Sequence, residues 1–146
     1  SSSTSEISSL TCTKKGGAGD FPYGDVISGK ADIVAMYSGD ELTDYGTIWS
    51  LEYSSADAAE EGMVQATAAY NKLLTNYNFG TDNDPFISDY SVSGTTLTVS
   101  HQAEGSEITP ATAKILGLYV VQGEVATDPT TLIDMYETDG YTCTEK

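Results

Sequence analysis

Basic residues are scarce in this chain. Six lysines and arginines stand against 22 aspartates and glutamates in 146 residues, a formal net charge of −16 and a pI near 4.1. Such a field repels phosphate backbones and anionic lipid surfaces, which argues against nucleic acid as a partner and leaves cations and basic surfaces admissible. The plain reading of the acidity is solubility in an extracellular medium. Long apolar runs are missing too: none approaches the ~18–20 residues of a membrane-spanning helix, and no signal peptide is present. There are only two cysteines and one histidine. With no CxxC pair, zinc ribbons and thiol redox motifs are disfavoured. His101 has no G-x-S-x-G or comparable setting, so a structural or solvated histidine is expected rather than a catalytic one. A phosphate loop and a dinucleotide fingerprint are both absent.

What is present reads as one α+β domain behind a polar lead. "SSSTSEISS" (Ser1–Ser9) has the composition of a flexible tether, with Ile7 its one apolar side chain. Such tethers commonly follow a cleaved export signal or a lipid-modified cysteine, so a signal or anchor is expected to lie outside this chain. Leu10–Lys15 alternates as a strand, and Gly16–Asp25 is a glycine-rich loop. Lys30–Tyr37 and Leu42–Ser54 form a hairpin around the turn Ser38–Glu41, with Trp49, Leu51 and Tyr53 on one face and Ile48, Ser50 and Glu52 on the other. Gly46 is expected to mark a bulge.

The period then changes from 2 to 3.6 over Ala56–Asn78, with Ala59, Met63, Ala66, Tyr70 and Leu74 on one stripe. Asp57 is the expected N-cap, with Glu60 three residues on. A second hairpin follows over Phe86–Gln102, turning at Ser93-Gly94, with Ile87, Val92, Leu97 and Val99 as core candidates. Thr109–Pro110 opens a short helix, Leu118–Val125 is ambiguous, and Asp128–Pro129 opens another helix that stops at Gly140. Tyr141–Lys146 is a short terminal strand. The expected fold is an antiparallel sheet of hairpins with one long and one or two short helices on one face. The domains are a tether over 1–9 and a single domain over 10–146.

Several phrases in this order, "TCTKK", "GDELT", "EYSSADAAEEG", "YSVSGTTLTVS" and "YETDGYTC", span Thr11–Cys143. The pattern resembles the YehR-like group of small bacterial cell-envelope lipoproteins and related Firmicute lipoproteins that end in a "GYTC" phrase. The resemblance implies an exported, lipid-anchored protein without known activity, and it supplies no catalytic residues. This chain lacks a lipobox cysteine. Its loop Gly16–Gly24 and its stretch Ile115–Val125 depart from the pattern.

Both cysteines sit in near-identical hexamers at the ends, "LTCTKK" and "YTCTEK". They form one bridge or none. The expectation is a Cys12–Cys143 disulfide closing the domain in an oxidising compartment, against the alternative of two unrelated core residues. Phe21, Tyr23, Tyr45 and Trp49 are candidate ligand contacts, suited to stacking on sugars or engaging a peptide. Their alternative is core packing, above all for Trp49. Asp82, Asn83 and Asp84, with Asp89 nearby, offer oxygens to calcium without an EF-hand pattern, and are also ordinary turn formers. No other cofactor is expected.

The functional expectation is a non-enzymatic cell-surface domain that binds a protein or a cell-wall glycan. One alternative is a filament or appendage subunit self-associating through its N-terminal segment and sheet edges. A further alternative is a carboxylate-dependent hydrolase, which needs a cleft holding two acids.

Overall fold

A computed structural model describes residues 8–39, 41–77, 86–104, 107–116, 120–121, 123–125 and 127–146. Among them lie eight strands and three helices: β1 (Ser9–Gly17), β2 (Ser28–Ser38), β3 (Glu41–Glu52), α1 (Ala56–Asn76), β4 (Ile87–Ser93), β5 (Thr96–Glu104), α2 (Pro110–Leu116), β6 (Val120–Val121), β7 (Glu124–Val125), α3 (Pro129–Thr138) and β8 (Thr142–Glu145). Six strands form one antiparallel sheet in the order β4-β5-β3-β2-β1-β8, and β6 pairs with β7 as a separate ribbon. This is the expected α+β class. Within the ambiguous stretch Leu118–Val125, the described residues Val120–Val121 and Glu124–Val125 form that ribbon, and Gly123 has φ 82°.

Alternation assigns the two faces of the sheet. Inward residues include Leu10 and Cys12 on β1, Ile33 and Ala35 on β2, Tyr45 and Leu51 on β3, and Leu97 and Val99 on β5, all buried. α1 lies over β4 and β5, and α3 over β1 and β8. α1 contributes Ala59, Gly62, Ala66, Tyr70 and Leu74 to the interior, and α3 contributes Leu132 and Tyr136. Gly62 is required by close approach, because a Cβ there would fall inside the shell of Tyr53 Oη.

The local grammar differs from expectation at a few places. Ser55, not Asp57, caps α1, its side chain accepting from the Ala58 N–H; Asp57 sits in the first turn, where it complements the helix dipole. Thr109 and Asp128 cap the two later helices as expected, each accepting from a backbone N–H three residues on. Gly46 is not a bulge: it pairs in register with Val34 and Gln102, and the irregularity falls at Thr43, between the pairs Met36↔Asp44 and Tyr37↔Leu42. Ile87 is not a core residue. β4 turns Ser88, Tyr90 and Val92 inward, so Ile87, of opposite parity, stands 71% exposed on the other face.

The ends of the chain meet. β8 pairs with β1 through Leu10↔Glu145 to Thr13↔Thr142, which sets Cys12 opposite Cys143, and the two are joined by a disulfide. The sheet also extends past the expected boundary. Ser9 belongs to β1, Ser8 N–H donates to the Lys146 carbonyl at 2.6 Å, and Tyr37 N–H donates to the Ser8 carbonyl at 2.9 Å. The rest of the expected tether lies outside the described residues. No helix among the described residues is long and apolar enough to cross a membrane.

The bridge closes a loop across a sequence separation of 131 residues. In the chain-entropy account, closing a loop of that size removes about 4–5 kcal/mol of unfolded-state freedom. The double variant Cys12→Ala/Cys143→Ala is therefore expected to lose that order of stability in urea unfolding, with an increased m-value from a less compact denatured state. A loss below about 1 kcal/mol would show that the strand pair holds without the bond.

Candidate ligand-binding site

Helices α1 and α3 do not meet over the whole inner face. Between them, at the end of the sheet where β1 and β2 are joined by the loop 18–27, a cleft of about 310 Å³ remains. Its floor is Ala31 of β2. Trp49 of β3 and Phe21 of the loop form aromatic walls, Tyr141 stands just before β8, Lys14 and Asp20 supply charge, and Lys15 borders the cleft from the next, outward position of β1.

The loop is built to press its aromatics onto Trp49. Phe21 meets the indole edge-on at 6.0 Å between centroids, and Tyr23 lies tilted on it at 5.6 Å. Two paired glycines make room for Phe21. Gly16 and Gly29 face each other in the β1–β2 register. A Cβ on Gly16 would come within 2.8 Å of the Phe21 ring, and one on Gly29 within 3.1 Å of it and 2.9 Å of the Ser50 carbonyl. Asp20 fastens the loop by accepting from the Gly17 N–H at 2.8 Å. Tyr23 has φ 78°, in the left-handed region that a residue with a Cβ enters only under constraint. The constraint is visible: Tyr53 Oη donates to the Tyr23 carbonyl at 2.6 Å. Burial raises the Tyr23 phenol pKa, so its hydroxyl stays a neutral donor.

On the opposite wall, Lys14 occupies an inward position of β1, in line with Cys12. Its Nζ donates to the Asp139 carbonyl at 3.0 Å and lies 5.7 Å from the Tyr141 ring centroid. Burial, and then the Asp139 charge, raise the Tyr141 pKa. Tyr141 packs edge-on against Tyr136 at 5.2 Å. The cleft thus offers aromatic faces, the phenol of Tyr141, the Lys14 ammonium group and one carboxylate. That set suits a ring-shaped, hydroxyl-rich molecule, with sugar C–H faces on the rings and polar edges on Lys14 and Asp20.

Of the four aromatics singled out from sequence, Phe21, Tyr23 and Trp49 come together. Tyr45 does not join them. It is fully buried beneath α3, and its hydroxyl pairs with that of Tyr136 at 3.0 Å. Burial pushes the Tyr45 pKa far up, reinforced by Tyr136 and Tyr37. Burial also lifts Tyr136 to about 12, although its hydrogen bond to Tyr45 lowers it. Lys14, Lys15 and Tyr141 were missed in the sequence. A lysine at an inward strand position, sharing parity with a buried cysteine, is the signal that points to Lys14.

His101 stacks on Tyr70 at 4.2 Å, and its Nδ1 is 2.8 Å from Ser88 Oγ. For the calcium proposal, Asp82, Asn83 and Asp84 lie outside the described residues, and Asp89 stands on the open face of β4. No group of three metal-ligating side chains occurs among the described residues.

No protein-family model matches the chain, and no curated protein matches it. Among solved structures it is similar to the NMR structure of the Escherichia coli YehR protein, at 10% identity and a TM-score of 0.58, over 97% of this chain and 94% of that one. It is also similar to the NMR structure of a protein from Streptococcus pneumoniae TIGR4, at 12% identity and a TM-score of 0.56, over 100% of this chain and 88% of that one. At these identities the likeness establishes a shared fold. The expected YehR-like arrangement of elements is present.

The glycine pair can be tested through the sole tryptophan. Gly29→Val is expected to lift Phe21 off Trp49, shift the indole emission to the red and cost about 1–3 kcal/mol; unchanged emission would mean that Phe21 does not depend on the glycine floor. A second test uses pH. The native phenols of Tyr45 and Tyr136 resist ionisation, whereas unfolded tyrosine ionises near pH ~10. Their contribution is thus complete below about pH 10 and is lost as pH rises toward the folded values. Stability is expected to fall steeply above about pH 10, and Tyr45→Phe to flatten that fall by up to about one proton's worth of slope. Equal slopes in urea unfolding of the two proteins at high pH would contradict the assignment.

Proposed function

We propose that the chain is a non-enzymatic binding domain of the cell exterior, and that it takes a carbohydrate-type ligand in the cleft walled by Phe21, Trp49 and Tyr141. The observation that carries this reading is the preset aromatic wall. Phe21 and Tyr23 are held on Trp49 by a glycine pair, a loop carboxylate and the Tyr53 hydrogen bond, so little ordering remains for a ligand to bring about. Support for an exterior location comes from the disulfide, which persists in oxidising compartments, and from the acidic surface. Support for a non-catalytic role is the make-up of the cleft, where Asp20 is the one carboxylate among the lining residues; glycoside hydrolysis by the usual route uses two.

Assembly into a filament is favoured by one observation. β4 is an edge strand of seven residues whose Ile87 is exposed. The β1–β8 edge is shorter, since β8 has four residues, and Lys14 and Lys15 follow the paired part of β1; lysines are a common protection against edge pairing.

Titration with soluble cell-wall glycan fragments, followed by Trp49 emission and by calorimetry, separates the readings. Binding is expected, weakened about five- to tenfold by Phe21→Ala and by Trp49→Ala. No heat and no emission change with any fragment would overturn the carbohydrate reading. Concentration-dependent growth in size-exclusion, abolished by Ile87→Lys, would favour assembly.

A further inference from the structure

The face of the sheet away from the helices has a composition of its own. Reading the registers across β2, β3, β5 and β4 gives the rows of that face. Met36–Asp44–Glu104 is followed by Val34–Gly46–Gln102–Ile87, then Asp32–Ile48–Ser100–Asp89, then Lys30–Ser50–Thr98–Ser91. Toward β1 and β8 the face carries Thr11, Thr13, Thr142 and Thr144. Most of it is therefore small and polar, as a solvated antiparallel face should be. The exception is Met36, Val34, Ile48 and Ile87, which line one trough of about 380 Å³. Met36 is 41% exposed, Ile48 37% and Ile87 71%. Gly46 leaves the middle of the trough without a side chain, and the sheet enforces this: a Cβ there would stand 2.7 Å from the His101 carbonyl oxygen. Contiguous exposed apolar side chains of this kind mark interaction surfaces more often than scattered ones do.

The charged residues that line the trough, Asp44 and Asp89, are of one sign. Asp44 and Glu104 face each other directly across β3 and β5, on the open side, and Asp44 has Gln102 as a long hydrogen-bond donor at 3.4 Å. Like charges directly opposite in a sheet are unfavourable unless something neutralises them. Asp89 stands at the other end, level with Ile48. Of the lysines of this face, Lys15 and Lys30 lie beyond that row, with Lys30 3.7 Å from Asp32, and Lys146 pairs with Ser9 at the far edge, two strands from Met36. Four residues along the strand and one strand spacing separate Glu104 from Asp89, about 14 Å.

We propose that this face docks a basic amphipathic segment of another protein, its apolar side chains in the trough and its cations on the Asp44–Glu104 pair and on Asp89. A second copy of this chain is a poor occupant, because it would bring −16 of its own and set carboxylates against carboxylates. A phosphate-rich or anionic lipid surface is repelled for the same reason. The trough lies on the opposite side of the sheet from the aromatic cleft and stands independently of what that cleft binds.

The test uses the whole chain and a synthetic peptide of about fourteen residues, long enough as a helix to span the acidic ends, made of leucines and lysines. Binding is followed by calorimetry and by amide chemical shifts near ~0.15 M salt. Shifts are expected on β3, β4 and β5 around Gly46. The charge-neutral double variant Met36→Ser/Ile48→Thr is expected to lose at least about tenfold in affinity. Asp44→Asn/Glu104→Gln is expected to lose about fivefold and to show a weaker salt dependence. Phe21→Ala, in the other cleft, is expected to bind like the parent. A peptide held equally well by Met36→Ser/Ile48→Thr, or shifts spread over the whole acidic surface, would overturn the proposal in favour of unspecific charge attraction. A parent that dimerises through residues of the trough would overturn it in favour of self-association. The chemical shifts of the unmodified protein locate the contact even if a variant folds poorly.

Discussion

Strand β1 depends on being held from both sides, and the link between Cys12 and Cys143 secures the weaker of them. On one flank β1 shares nine paired positions with β2, from Ser9↔Met36 to Gly17↔Ser28. On the other it has four, supplied by the last strand of the chain. Four pairs at a sheet edge are a marginal attachment for a terminal segment. The covalent bond at the third of them turns that attachment into part of the core, where Cys12 is fully buried beside Leu10 and Ile33. Docking β8 also fixes α3 against β1 and sets Tyr141 beside Lys14. One wall of the cleft therefore exists because the chain ends are joined.

The helices divide the sheet into three environments. Under α3, Tyr45 and Tyr136 are sealed and share a hydrogen bond. Under α1, Leu51, Leu97 and Val99 form a second apolar cluster with Tyr53 and Ala59. Between them, among the described residues, the sheet is roofed by the loop 18–27, and there Trp49 stays partly exposed. The gap explains why aromatic side chains on one strand face have different fates. Tyr45 and Trp49 share parity on β3, and what separates them is which helix arrives above.

That distinction also separates what the sequence determines locally from what it does not. Period and parity placed the strands of both hairpins, the stripe of α1 and the inward set Trp49, Leu51 and Tyr53, because these are local properties of the backbone. The repeated "TCT" phrases pointed to the disulfide, because both needed the same strand context. Ile87 was misplaced for a local reason that was legible: it lies five residues from Val92, and an unbroken strand cannot turn both inward. The burial of Tyr45, the meeting of Gly16 with Gly29 and the entry of Lys14 into the cleft depend on elements distant in sequence. Alternation alone carries no trace of them. The open-face trough belongs with these, since it appears only when four strands are laid in register.

The meeting of Ser8 with Lys146 has a mechanical meaning. Both ends of the described chain leave the same corner of the sheet, hydrogen-bonded to each other. A pull applied between residues 8 and 146 would peel a few pairs of β1 and β8 and then reach the Cys12–Cys143 bond. Beyond that bond the 131-residue span is a closed ring with respect to the load. Tension would draw on Leu10, the residue of the first apolar cluster that lies outside the bond, and would bypass the other members of both clusters and the aromatic cleft.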